Sequence, residues 1–380
     1  MKQQIPSTAM RIVIGISRLF AGAVFLFSGF VKGVDPMGFT YKIEEYLNVF
    51  GFEWAIPLAF AASVVMCAIE FTIGVALIFN AHKNLTAWLL LLFMSFFTIL
   101  TFTDALTNKV DDCGCFGDAV KLTNWQTFWK NVVLMVPTII LFVYRNRKVK
   151  KKTFEQDTLV VGLGITAMVI FCLYNYYNEP VLDFRPWKVG NRMMNEERGE
   201  VVNYVTYENI ETGELDEFPS SELMKKYTED STWAETHKWV NTRTYDPNEI
   251  YADGFSMLGT DGMDHAKEIV GQEDYVLIAT IHDLDMTKKG LRNLKNIYRE
   301  AAETHVHFVI LTCALDNELG EFLIENGMED AEYYYADDKA IKTVLRSNPG
   351  LILLKNAEVM GKWHYRNFPE LADLNLNSDK

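Results

Sequence analysis

Two cysteines flank a single glycine in the stretch "DCGCFGD", Asp112 to Asp118, with Asp111 just before it. Thiols at that spacing can close a small disulfide ring if the backbone turns enough to bring the Cα atoms to roughly 4.4–6.8 Å. Gly114 permits the turn because it has no Cβ. So small a ring removes little chain entropy, which argues against a purely stabilising bond. A strained, exposed disulfide is easily reduced, and bonds of that kind tend to be catalytic or regulatory. From the residues alone three readings of Cys113 and Cys115 stay open: a redox-active or regulatory disulfide, a tight structural turn, and two soft ligands to a divalent metal. Asp111, Asp112 and Asp118 would disfavour a thiolate, and Lys109 and Lys121 would oppose them. A set of four good metal ligands is not visible.

Arg18 and Glu70 stand inside long apolar runs, where an ionisable group is a functional-site candidate because its burial is expensive. Counting residues from the nearer ends of their runs puts the two at depths that differ by about 5 Å. The expectation is that they pair across the bundle, either as a site or as an ion pair that fixes helix register. Cys67, Cys172 and Cys313 read as small apolar packing residues. His305 and His307 alternate on one strand face and read as solvated. No glycine-rich phosphate loop, nucleophile elbow or Ser/His/Asp set is present.

These residues must be positioned by two unlike halves. Residues 1–180 carry 15 Lys+Arg against 12 Asp+Glu, and residues 181–380 carry 21 against 38, so a net of +3 is followed by a net of −17. The first half is nearly continuous apolar sequence, with five runs of membrane-helix length: Ile12 to Val31, Trp54 to Phe79, Leu85 to Phe102, Trp125 to Tyr144 and Thr158 to Tyr177. The first run is long, contains Arg18 and lacks a small-residue cleavage site, which favours an uncleaved anchor over a signal peptide. The basic run "RNRKVKKK" from Arg145 to Lys152 predicts a cytoplasmic loop. Counting outward from it, the N-terminus is cytoplasmic, and the "DCGCFGD" loop and the last 200 residues lie outside, in a compartment where disulfides persist. An acidic soluble half argues against nucleic acid as a partner, since phosphate contacts need clustered Lys and Arg.

Between the first two runs, "DPMGFTYKIEEYLNVFGFEW" predicts a short amphipathic helix lying on the outer surface. Thr123 or Asn124 caps the fourth run. "VLDFRPWKVGNR" reads as a juxtamembrane linker in which Arg185, Trp187 and Lys188 anchor at the lipid headgroups, with a ligand site as the other option. "VVNYVTYENIETGELDEF" predicts two strands around a turn at Thr212 and Gly213, and "KWVNTRTYDPNE" a third. From about Phe255 strands and helices alternate in the order β-α-β-α-α-β-β, ending in a hairpin that turns near Asn356 and Ala357.

That order resembles the thioredoxin fold, with Pro349 where thioredoxins keep a cis-proline. Where a thioredoxin places Cys-x-x-Cys this chain has "HDLDM", His282 to Met286. Thioredoxin's own thiol exchange therefore does not carry over, and binding or positioning is the expected role. The first 145 residues resemble the MauE/DoxX family of membrane proteins through "SRLFAGAVFLFSGFVKGVDPMGF", "EFTIGVALIF" and, above all, "DCGCFGD". The whole chain looks like a Bacteroidota branch in which a fifth helix and a thioredoxin-like tail are fused to that core. The resemblance implies Cys113 and Cys115 as the thiol pair, with Arg18, Lys32 and Glu70 as polar family positions. MauE is associated with maturing a disulfide-rich methylamine dehydrogenase subunit and DoxX with quinone-coupled sulfur oxidation. The vitamin K epoxide reductase family offers a comparable layout of helical core and thioredoxin domain.

The fold expected is an α-helical membrane bundle followed by an α/β thioredoxin-like domain. Its divisions fall at 1–150 (MauE/DoxX-like unit), 151–180 (fifth transmembrane helix), 181–252 (β-rich region) and 253–380 (thioredoxin-like domain). The expected function is inner-membrane thiol/disulfide handling for a periplasmic protein client through Cys113 and Cys115. One alternative is a non-enzymatic scaffold whose tail binds partners. The other is a quinone-binding or transport-related subunit centred on Arg18 and Glu70. The lipid bilayer is the one partner common to all three, quinone is the one cofactor suggested, and no metal is assigned.

Overall fold

The computed structural model describes residues 7–110, 113–146, 153–195, 202–229, 232–245, 249–252, 254–374 and 376. The chain divides into two compact units, Met1–Arg185 and Pro186–Lys380. Asp111, Asp112 and the basic run from Arg147 to Lys152 lie outside the described residues.

The first unit is helical. Helix α1 (Thr8–Val34) is capped by the Ser7 hydroxyl, which accepts from the Met10 amide. Asp35 ends it and at once caps α2 (Pro36–Val49), accepting from the Gly38 amide at 2.8 Å, with Pro36 in the first turn where its missing N–H costs nothing. This is the short helix expected between the first two apolar runs. A 3₁₀ turn, Glu53–Leu58, leads into α3 (Ala59–Phe79), and α4 (Lys83–Thr107) follows. Helices α5 (Asn124–Val143) and α6 (Phe154–Tyr177) each open with a reciprocal capping box, Thr123 with Gln126 and Thr153 with Gln156. Among the described residues, five segments are long and apolar enough to cross a membrane: α1, residues 53–79, α4, α5 and α6. They match the five runs legible in the sequence. Large apolar side chains such as Ile16, Leu92, Ile99 and Val133 face outward, as lipid-facing positions do.

Helices α1 and α3 pack backbone to backbone. A Cβ on Gly29 would lie 2.7 Å from the Phe71 amide nitrogen, and one on Gly74 would lie 2.6 Å from that of Leu26. Small residues at such crossings let membrane helices approach closely, and here they lock the α1–α3 register. Ile14, Phe25, Ile73, Leu77, Leu90, Met94, Leu134 and Leu141 fill the adjoining core.

Arg185, expected at the lipid headgroups, is 2 % exposed and held by Asp183 and Glu179, with Nε 2.7 Å from Asp183 Oδ1. Those two acids raise its pKa against the opposing effect of burial. A guanidinium this buried, held by two carboxylates close to it in sequence, is not a side chain reaching out to a headgroup. Trp187 is likewise not an interfacial anchor, because it is buried in the second unit against Phe255.

The described residues of the second unit form two sheets. In the first, β1 (Val202–Asn209) lies between β2 (Leu215–Pro219) and β3 (His237–Tyr245), all antiparallel. Helices α7 (Leu223–Glu229) and α8 (Trp233–Thr236) bring Trp233 onto Tyr207 and Phe218. After α9 (Ala266–Val270) comes a five-stranded sheet of order β6-β5-β4-β7-β8. Its strands are β4 (Tyr275–Ile281), β5 (His307–Thr312), β6 (Glu332–Tyr335), β7 (Gly350–Lys355) and β8 (Glu358–His364). Helices α10 (Leu284–Thr287), α11 (Leu291–Thr304), α12 (Asp316–Glu325) and α13 (Asp338–Val344) connect them. Strands β4, β5 and β6 run parallel, while β7 and β8 are antiparallel to their neighbours. Both faces of β4 are covered, since Val276 and Ile278 join one core cluster and Leu277, Ala279 and Ile281 the other. The β7–β8 hairpin turns at Asn356 and Ala357, both with positive φ. Strand β6 is absent from the sequence-based order. Four residues are too few to show a period, and only the run of three tyrosines hints at a strand.

Candidate functional site

Cys113 and Cys115 are joined in a disulfide, with Cα atoms 5.4 Å apart. Gly114 between them has φ +62°, the left-handed conformation the ring needs. The loop is not the exposed polar turn expected from the sequence. Cys113 is 7 % exposed and Cys115 half-buried. Phe116 stacks edge-on against Phe27 of α1 at 5.4 Å, and the Lys130 ammonium of α5 sits 4.4 Å over the Phe116 ring. On the other side, a Cβ on Gly114 would lie 3.1 Å from Lys42 Cγ of α2. Apolar contacts and one cation thus press the loop onto the bundle.

Beneath the loop is an ion pair. Lys32 Nζ of α1 lies 2.5 Å from Glu70 Oε1 of α3. Glu70 Oε2 accepts from the Ser28 hydroxyl at 2.8 Å, and the same hydroxyl lies 2.8 Å from the Cys115 carbonyl oxygen. Lys32 also donates to Ser28 Oγ at 3.2 Å and lies over the Phe39 ring of α2. A buried carboxylate and ammonium survive in such a place only when paired and hydrogen-bonded. Ser28 and Lys32 share a face because they are four apart on a helix. A cleft opens beside them, with polar lining from Ser28, Lys32, Glu70, Cys115, Lys130 and Asn131 and aromatic walls from Phe25, Phe93, Phe97 and Phe116.

The expected Arg18–Glu70 pair does not form. With Gly29 against Phe71, Arg18 is about three turns away along α1, roughly 16 Å from the level of Glu70. Hydropathy boundaries misplace the depth of Arg18, because α1 starts at Thr8, ahead of its apolar run, and glycine contacts set the register. Arg18 instead borders a second cleft at the other end of the bundle. Ser28 and Lys130 escaped the sequence reading, because neither serine nor a lysine near a helix start signals a site by itself.

The remaining cysteines divide in two. Cys67 of α3 and Cys172 of α6 are fully buried and their thiols hydrogen-bond to each other, a juxtaposition not legible from positions 105 residues apart. In the second unit, His282 directly follows β4 and its amide donates to Asn348 Oδ1 at 2.9 Å; the peptide bond from Asn348 to Pro349 is cis. The Cys313 thiol donates to the His282 carbonyl at 3.3 Å, and burial pushes its pKa up. That thiol is therefore protonated at neutral pH and a poor nucleophile. Burial, with Lys342 nearby, lowers the His282 pKa to about 4, so its ring is neutral. Among the described residues no group of three or more His, Cys, Asp or Glu converges as a metal site.

A helical membrane unit with a disulfide loop clamped over a buried ion pair, followed by an α/β unit, is the class of protein these features define. Residues 10–144 match the family model described as Methylamine utilisation protein MauE, a match that takes in four of the five spans found among the described residues and the disulfide loop. The chain is also similar to Protein TlpB of Flavobacterium psychrophilum, with 21% identity over 207 residues, 53% of this chain and 51% of that protein. The chain thus spans about half the length of the curated relative it matches. No solved structure matches it.

Proposed function

We propose that this MauE-type membrane protein exchanges thiols and disulfides with a protein client through Cys113 and Cys115. The observation that carries the reading is a disulfide seated on the bundle, in which Cys115 is the more exposed of the two cysteines. A client thiolate attacks Cys115 Sγ, forming a mixed disulfide and releasing Cys113 as thiolate. A second client thiolate then attacks its own sulfur in that bond. The client leaves oxidised, and Cys113 and Cys115 hold the two electrons and, after protonation, two protons. Ser28, bound to Glu70 and facing the Cys115 carbonyl, positions the loop through this cycle.

The topology proposed with it puts the N-terminus in the cytoplasm and the loop and second unit outside, in the periplasm of a cell with an inner membrane. The basic run 145–152 supports that orientation. The second unit is proposed to be a thioredoxin-like domain that recruits or orients the client. Its sheet order supports this, and His282 in place of the usual thiols argues for binding over chemistry. The methylamine role in the family's description is not carried over, since nothing in the chain points to that substrate.

A second reading has one observation in its favour. The aromatic-walled cleft beside Glu70 and Cys115 has the form of a ligand pocket, apolar with a few converging polar groups. It would suit a membrane-soluble electron acceptor of the quinone class that reoxidises the pair. Arg18 is not part of that cleft.

Trapping tests the main reading. Cys113→Ser leaves Cys115 as a single thiol that can attack the disulfide of an oxidised client, the reverse of the second step; without Cys113 to close the ring and release the reduced client, the mixed disulfide should accumulate relative to the wild type. A pair that stays oxidised in cells, with the double serine variant fully active, would sink the proposal.

A further inference from the structure

The geometry points to a phosphate-binding site for an anionic lipid headgroup or a free phosphate, at the end of the bundle away from the disulfide. A cleft there is bordered by Arg18 of α1, Asn80 just after α3, Lys83 at the start of α4, and Tyr144 and Arg145 just after α5. Four separate helices thus bring three cations, a phenol and an amide to one opening, and no carboxylate is among the lining residues. Asp157 lies close by, where it accepts from the His82 amide at 3.0 Å, but it does not border the cleft.

Arg18 makes the case for a ligand. Its Nε is buried, yet it has no hydrogen-bond partner among the described residues. Such a donor leaves a desolvation cost unmet unless an acceptor enters from outside. Arg145 is held by other means: one guanidinium nitrogen donates to the Phe142 carbonyl at 2.8 Å, and the group stacks on Phe142 and Trp88. That fixes one cation at the rim. The start of α4, a 25-residue helix, adds its positive dipole end beside Lys83. Planar guanidinium forks bind phosphate oxygens in pairs, and an ammonium adds charge without fixed geometry.

The surroundings suit a lipid. Ile16, Leu19, Leu85, Trp88 and Val143 near the cleft are all exposed apolar residues, so acyl chains can lie along the outer faces of α1 and α4 while the headgroup enters between them. A free phosphate would use the same cations without those walls.

Native mass spectrometry of the full chain in zwitterionic detergent separates the sources. With phosphatidylglycerol and phosphatidylcholine titrated in parallel, a lipid site predicts about tenfold tighter binding of phosphatidylglycerol, and Arg18→Gln or Arg145→Gln should remove most of that preference. Inorganic phosphate is the second arm: if it raises the Tm of the wild type but not of Arg18→Gln, while the two lipids bind alike, the ligand is free phosphate. Equal binding of both lipids with no phosphate effect overturns the site. So does a preference unchanged in both variants. Should Arg18→Gln fail to fold, Arg145→Gln and Lys83→Gln carry the same readouts.

Discussion

Lys32 Nζ lies 2.5 Å from Glu70 Oε1, and the two side chains are 3% and 4% exposed. Removing one partner leaves the other charge inside the bundle without its hydrogen-bonded counterion. Lys32→Met or Glu70→Leu alone should cost about 3–5 kcal/mol, while Lys32→Met with Glu70→Leu should be far milder than the sum. Thermal unfolding in a fixed detergent checks this. Arg18→Leu with Glu70→Leu should be additive, since those residues are about three turns apart.

Ser28→Ala removes the hydroxyl that reaches both Glu70 and the Cys115 carbonyl. A hydrogen bond of about 1 kcal/mol translates into roughly fivefold looser docking of the loop. Reduction of Cys113–Cys115 by a small dithiol, followed by maleimide gel shift, should speed up by about that factor. An unchanged rate would show that Phe116 and Lys130 alone hold the loop.

Gly74 has no room for a side chain, because a Cβ there would meet Leu26 N at 2.6 Å and Gly22 O at 2.9 Å. Gly74→Val should force α1 from α3 and pull Lys32 from Glu70. The expected outcome is a loss of folded protein on size-exclusion chromatography, with Gly162→Val, a position open to space, as a neutral control.

Burial holds both His282 and His364 at a pKa of about 4 in the second unit. Unfolded, each titrates near 6.5. Between about pH 6.5 and pH 4 the unfolded chain therefore binds protons that the folded chain does not, and stability falls as pH falls through that window. His282 alone should account for about 2 kcal/mol. Hydrogen exchange of β4 and β7 in the full chain, corrected for intrinsic rate, should accelerate on going from neutral pH to about pH 4.5, and His282→Gln should flatten part of that change.

The five spans were legible because an unbroken apolar run of that length suits little besides a membrane crossing. The hairpin at Asn356 and Ala357 was legible from its flanking apolar strands. Three things were not. The partner of Glu70 depends on glycine contacts between α1 and α3 that no residue count reveals. The seat of the Cys113–Cys115 loop depends on Phe27, Phe116 and Lys130, which belong to three different segments. Strand β6 is held by pairing with β5 more than by its own four residues. In each case a tertiary contact decides what the local pattern leaves free.

A hydroxyl carries one hydrogen, yet Ser28 Oγ lies 2.8 Å from two acceptors, Glu70 Oε2 and the Cys115 carbonyl oxygen. One hydrogen serves both contacts only as a shared, three-centre bond, which holds each acceptor less firmly than a full hydrogen bond would. A single hydroxyl on α1 thus ties the disulfide loop and the buried ion pair together, and whatever strengthens its grip on one loosens its grip on the other.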